Sequence, residues 1–251
     1  MTVIRSRANP DVQRVAAALA GRTPDQLVLE GDRLVEEARA AGLDLELVLV
    51  GADRPERAAE LEAAGHPVRR VDPRLLDRVS GLTTSPGVLA LCARPSADGP
   101  LEIGSRSLFL VLAGVADPGN LGALARSAEA AGAATLCVLD GGAGPWNPKA
   151  LRGSMGSLLR LPVRRFDDVA ACTAALPGVR HVRAATRDAT PLGAFDWSGP
   201  VALWVGSETG EFPPGCEAFE AVSIPMKGRV ESLNVTVAAS LLLYASGRPL
   251  D

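Results

Sequence analysis

Two rhythms of apolar and polar positions run along this chain. A helical period marks residues 11–21, where Val12, Val15, Ala16 and Leu19 share a face and Gly21 ends the pattern. The same period returns over Asp32–Ala41, closed by Gly42, and over Arg54–Ala64, stopped by Gly65. Short β-rich runs at Leu27–Glu30, Leu45–Val50, Val68–Val71 and Gly87–Ala93 read as strands, with a short helix over Pro73–Val79. These elements make an α/β unit ending near residue 95, and the Pro/Gly/Ser-rich stretch over 96–106 reads as a linker.

A second unit spans 107–251. Its strands are Ser107–Ala113, Ala134–Leu139, a run starting at Val163, His181–Ala185, Val201–Val205 and Ala221–Ile224. Several are apolar throughout, which suits strands covered on both faces. Helices are expected from the Gly114–Gly122 turn to Ala131, over Pro148–Leu159, over Asp167–Ala175, and from a Ser232 N-cap to Tyr244. Alternating strands and helices predict parallel pairing with helices on both faces.

Composition narrows the class. Apolar residues make up 47% of the chain but aromatics only 4%, so the core must be built from Val, Leu and Ala. No run approaches the roughly eighteen apolar residues of a membrane span. The first ten residues carry no apolar signal core, and a cytoplasmic protein is expected. Cys92, Cys137, Cys172 and Cys216 are scattered, and His66 and His181 stand alone, so no metal site is expected. The net charge of −3 gives no global attraction for a polyanion, leaving any nucleic-acid contact to local arginine patches.

Chemistry concentrates in three loops that leave strand carboxyl ends, 114–122, 206–212 and 225–232. Gly114, Gly119 and Gly122 do not reproduce the dinucleotide spacing, and no Gly-Lys-Ser/Thr phosphate loop occurs. Taken singly, each polar residue has a plain reading: Asn120 caps a helix, Arg126 is solvated, and Glu208 is a turn carboxylate. Arg152 and Ser154, near a helix start, either touch a phosphate or lie at the surface. Ser232, Asn234 and Thr236 crowd the first turns of an otherwise apolar helix, which alone suggests a capped core helix. Residue patterns therefore stop at a small-ligand α/β enzyme whose site is made by three loops.

Together the loops resemble the signature motifs of the SpoU/TrmH family of RNA 2′-O-ribose methyltransferases. The first is Leu112–Arg126, with its Asp117-Pro-Gly-Asn120-Leu-Gly122 core; the second is Leu203-Trp-Val-Gly-Ser-Glu208; the third is Ile224-Pro-Met-Lys-Gly-Arg-Val-Glu-Ser-Leu-Asn-Val235. Asn147–Gly156 resembles the family segment between the first two. More loosely, Asn9-Pro10, Glu30-Gly31 and Thr84–Gly87 are similar to the L30e-like substrate-binding domain of many members.

The resemblance implies a C-terminal parallel-sheet domain with a deep trefoil knot, a homodimer, and S-adenosyl-L-methionine as methyl donor. It implies cofactor contacts from Leu203, Gly206, Ile224, Met226, Leu233 and Ala238. It places Arg126 as general base, with Asn120, Glu208, Ser232 and Asn234 around it. RNA contacts are implied for Arg152, Ser154, Arg5, Arg7 and Arg22. The implied substrate is ribosomal RNA, 23S first, with transfer RNA or a non-catalytic RNA-binding role as alternatives. Ser207, Glu211 and Phe212 depart from the family's Asn, Gly and aliphatic residue, and Glu211 adds charge beside the cofactor loop.

Overall fold

The computed structural model describes residues 2–97 and 99–247, in two compact units, Met1–Pro95 and Ser96–Asp251. The first contains α1 (Pro10–Leu19), β1 (Gln26–Glu30), α2 (Asp32–Ala40), β2 (Leu45–Gly51), α3 (Pro55–Ala63), β3 (Val68–Val71), α4 (Pro73–Val79) and β4 (Val88–Ala93). α1 begins where Asn9 accepts the amides of Asp11 and Val12 ahead of Pro10. The sheet order is β1-β4-β2-β3. β2 and β3 pair in parallel, but β4 runs antiparallel to both its neighbours. Parallel pairing therefore does not extend through this unit. The loop after α4 sends Val88–Cys92, buried at every position, into a central slot from the opposite direction. Val12, Val15, Val28, Leu47, Leu49, Leu75 and Leu89 form its core.

The second unit contains β5 (Leu108–Leu112), α5 (Pro118–Ala130), β6 (Thr135–Leu139), α6 (Pro148–Ser154), α7 (Ser157–Arg160), β7 (Val163–Phe166), α8 (Val169–Ala174), β8 (Arg180–Ala185), β9 (Thr190–Pro191), β10 (Val201–Val205), β11 (Glu220–Ser223) and α9 (Val235–Ala245). Its seven strands lie in the order β7-β6-β5-β10-β8-β11-β9, and every pair is parallel. β5, β6 and β10 are buried along their whole length, as their unbroken apolar runs require.

Three expected details differ. The helix expected over 148–159 is two, because Met155 (φ 52°) and Gly156 (φ 94°) turn left-handed between α6 and α7. α5 is capped by Asp117 rather than Asn120, which lies inside its first turn. α9 is capped by Asn234, whose side chain accepts the amides of Thr236 and Val237, so Ser232 stays outside the helix. In both cases the cap is the polar residue with a side-chain oxygen aimed at the first free amides.

The stretch read as a linker is tied to the second unit. Leu101 and Ile103 pack on its core, and Arg164 donates to the carbonyls of Ala97 and Gly99. His181 is structural: its Nδ1 accepts from Trp204 Nε1 at 3.0 Å, its ring stacks on Phe219, and burial pushes its pKa down.

Candidate active site

The chain builds β5, β6 and β7 outward on one side of β5, then places β10 and β8 on the other. The order switches between β5 and β10, where a crevice opens at the carboxyl ends of the strands. Leu112 pairs with Val205, so the loops after β5 and β10 leave the sheet side by side.

Glu208 joins them. Its carboxylate accepts the amides of Asp117 at 3.1 Å and Ala116 at 3.3 Å, and Asn120 Nδ2 at 3.1 Å. Burial raises the Glu208 pKa, but these donors outweigh it and hold the carboxyl below its ordinary value. Glu208 is therefore an ionised clasp between two loops, with its oxygens committed to N–H groups. Asn120 is fixed from the other side by Thr236 Oγ1, which lies 3.5 Å from its Oδ1. One turn further along α9, Ser240 Oγ donates to Ser127 Oγ on α5 at 2.7 Å. The structure thus ties Asn120 to Glu208 and to α9, bringing the three loops to one place.

The loop after β10 folds back on itself. Ser207 N donates to Glu211 O at 3.0 Å, and Ser207 Oγ lies 2.7 Å from Thr209 Oγ1 and accepts from Glu211 N. A Cβ at Gly206 would come within 2.4 Å of Glu211 O, so this fold needs glycine there. The departures at 207, 211 and 212 fit the same turn. Ser207 supplies its internal hydrogen bonds, Phe212 packs on the core, and the Glu211 side chain is exposed.

Beside this loop lies a pocket between the ends of β8, β10 and β11 and the start of α9. Gly206, Glu208, Ile224, Met226, Ser232, Leu233 and Ala238 all line it, together with Thr186, Val205 and Leu242. Glu211 lines a neighbouring groove with Asp140, Asp168 and Pro213 instead. Leu203 is not part of the lining; it sits in the middle of β10, paired with Leu110 and Val182 and fully buried. Thr186 is not singled out by the sequence, and Thr236 stands there only as one of several polar residues at a helix start, without its link to Asn120. Thr186 follows β8 without a glycine or motif to mark it.

Arg126 is exposed on α5, next to Ser127, and no other described residue makes a hydrogen bond or ion pair with it. Arg152 is half-buried in the last turn of α6, not near a helix start. Ser154 is fully buried and its hydroxyl donates to Leu151 O at 2.8 Å, so it offers nothing to a phosphate. Arg5, Arg7 and Arg22 are exposed on the first unit. Among the described residues, no group of three or more His, Cys, Asp or Glu side chains is placed to hold a metal, and no helix is long and apolar enough to cross a membrane.

Comparison with known proteins agrees with this geometry. The profile of the SpoU rRNA Methylase family matches residues 107–244. The 23S rRNA (guanosine-2′-O-)-methyltransferase RlmB of Xanthomonas axonopodis pv. citri is 34% identical over 219 residues, 80% of this chain and 87% of that protein. The 23S rRNA (guanosine(2553)-2′-O)-methyltransferase RlmP of Bacillus subtilis is 30% identical over 226 residues, 86% of each. The crystal structure of the SpoU methyltransferase AviRb from Streptomyces viridochromogenes in complex with AdoMet superposes with a TM-score of 0.82, at 28% identity, covering 95% of this chain and 97% of that one. With its three loops joined through Glu208 and Asn120 and its sequence aligned to such relatives over most of its length, this chain belongs to the SpoU rRNA methylase family.

Proposed function

We propose that the protein transfers a methyl group from S-adenosylmethionine to a ribose 2′-hydroxyl of 23S ribosomal RNA, acting in the cytoplasm. The observation that carries this reading is the Glu208–Asn120 clasp at the edge of a pocket whose lining suits the donor. Ile224, Met226, Leu233 and Ala238 offer apolar surface for an adenine, and Thr186 and Ser232 offer hydroxyls at the rim. When bound, S-adenosylmethionine supplies an electrophilic methyl on a sulfonium. The chain's own task is to place a weakly acidic alcohol and stabilise its developing charge. Asn120 is held by two partners, and Arg126 stands uncommitted on the same helix. A guanidinium keeps its proton at accessible pH, so Arg126 serves as a fixed cation toward the alkoxide or the adjoining phosphate rather than as a base. Exposed Arg5, Arg7 and Arg22 are the candidate RNA contacts of the first unit, read as an L30e-like domain.

The direct test supplies methyl-labelled S-adenosylmethionine with 23S rRNA and transfer RNA transcripts. Label is expected in 23S rRNA, at one nucleotide whose 3′ bond resists alkaline hydrolysis. Label in transfer RNA alone reassigns the substrate, and label in neither overturns the reading.

The same reading takes the passage from β10 through β11 to α9 as the knotted segment, since α9 returns to pack on β8, β10 and α5. It also takes the protein as a homodimer. α9 buries Ala239, Leu242 and Leu243 on one side while Val237, Leu241 and Tyr244 stay 45–53% exposed on another. Their spacing of four and three residues forms one apolar stripe suited to a second copy. Leu241→Glu is expected to shift the light-scattering mass from dimer to monomer at micromolar concentration. An unchanged dimer mass in that variant removes α9 from the interface.

A further inference from the structure

We propose that Lys149 is a positioning residue for methyl transfer, acting through Asp117 on the Asn120–Glu208 pair. The inference rests on the activity proposed above. Lys149 is one of two lysines in the chain, and its Nζ lies 2.5 Å from Asp117 Oδ2. Asp117 is the joint of the first loop. Its Oδ1 caps α5 by accepting the amide of Asn120 at 2.9 Å, while its own amide donates to Glu208 at 3.1 Å. Lys149 therefore grips the residue that sets both the start of the Asn120 helix and one arm of the Glu208 clasp.

Lys149 is itself placed rigidly. Its amide donates to Asn147 Oδ1, the N-cap of α6, at 2.8 Å. α6 lies backbone-to-backbone on α5: a Cβ on Gly122 would meet Ala150 O at 2.3 Å, and one on Gly153 would meet Gly119 O at 3.2 Å. The lysine stem crosses the remaining gap, since a Cβ at Gly119 would sit 3.2 Å from Lys149 Cε. The ammonium holds the Asp117 carboxyl below its ordinary pKa, with the Asn120 amide adding to the effect. The pair is solvent-exposed, 57% and 43% at the side chains, so it adds little to global stability. Its consequence lies in the geometry of the loop, where a displacement of about 1 Å can cost on the order of a hundredfold in rate.

The test uses the full-length protein as Lys149→Met and Lys149→Arg, with a 23S rRNA transcript as substrate. Lys149→Met is expected to lower kcat by about tenfold to a hundredfold, leaving KM for RNA, cofactor affinity and the thermal midpoint near wild type. Lys149→Arg should restore most of the loss, and Asp117→Asn should be non-additive with Lys149→Met. A direct phosphate contact would instead raise KM for RNA and reduce the salt dependence of binding by about one unit of slope, which would overturn the proposal. Amide hydrogen exchange gives a readout independent of turnover. Residues 114–122 should exchange on the order of tenfold faster in Lys149→Met than in wild type or Lys149→Arg. Unchanged exchange overturns the positioning role even if the wild type proves to transfer no methyl group, an outcome that would separately defeat the proposed function.

Discussion

Arg126→Ala is expected to lower methyl transfer by about 10²–10³-fold, while calorimetric binding of S-adenosylmethionine stays at the wild-type level. The two halves of this result come from different places. The pocket proposed for the cofactor is lined from β8, β10, β11 and α9, and Arg126 is not among its lining residues. The charge that a reacting hydroxyl would meet must come from a group not already paired. Glu208 is occupied by three N–H donors and carries the wrong sign, and Asn120 is shared between Glu208 and Thr236. Arg126 lies six residues, less than two turns, along α5 from Asn120, is exposed, and has no hydrogen-bond or ion-pair partner among the described residues. Lys at this position should recover part of the rate, because it keeps the charge but loses the planar fork. Near-normal turnover in Arg126→Ala would remove Arg126 from the mechanism.

Gly122→Ala should be the most damaging small substitution to stability in the second unit. An alanine in a helix interior usually helps by about 1 kcal/mol. Here the added methyl would lie 2.3 Å from Ala150 O, 2.8 Å from Ser154 N and 2.9 Å from Gly153 C, all backbone atoms of α6. Backbone cannot swing aside as a flexible side chain can, so α5 and α6 must separate. Overpacking of this kind costs about 1–3 kcal/mol and occasionally more. A net loss of about 2 kcal/mol lowers the thermal midpoint by about 4–8 °C for a chain of this size. Gly144→Ala is the matched control, because nothing lies within 4 Å of its added Cβ and its φ is not positive. Equal midpoints for the two variants would show that the helices do not press together as described.

The alternation of apolar runs with helical faces announced the parallel sheet of the second unit, and β5, β6 and β10 read directly as strands covered on both sides. The direction of β4 was not legible. A short buried apolar run has the same pattern whichever way it enters a sheet, and only the loop after α4 decides it. Helix ends were misplaced where several capping residues crowd together: Ser232 and Asn234 both qualify by type, and the geometry alone selects Asn234. The candidate site followed a similar division. Glycine-rich composition at strand ends marked the loops, and the family resemblance pointed within them to Gly206, Glu208, Met226 and Leu233, which line one pocket of the second unit. Ser154 looked available by type but is buried by the tight crossing of α5 and α6, which no linear spacing conveys. Thr236 was seen only as one of several polar residues in a helix, because its relation to Asn120 spans 116 residues of sequence.

The strap formed by Arg164 over Ala97 and Gly99, with Leu101 and Ile103 seated on the core, bears on how this protein could be cut apart. A fragment begun at residue 107, where the family match starts just ahead of β5, would strip two apolar plugs from a finished core and leave the Arg164 guanidinium without its carbonyls. Any freestanding catalytic fragment, or any graft of this half onto another RNA-binding module, has its natural seam at Pro95–Ser96, with the eleven residues that follow travelling as part of the enzyme.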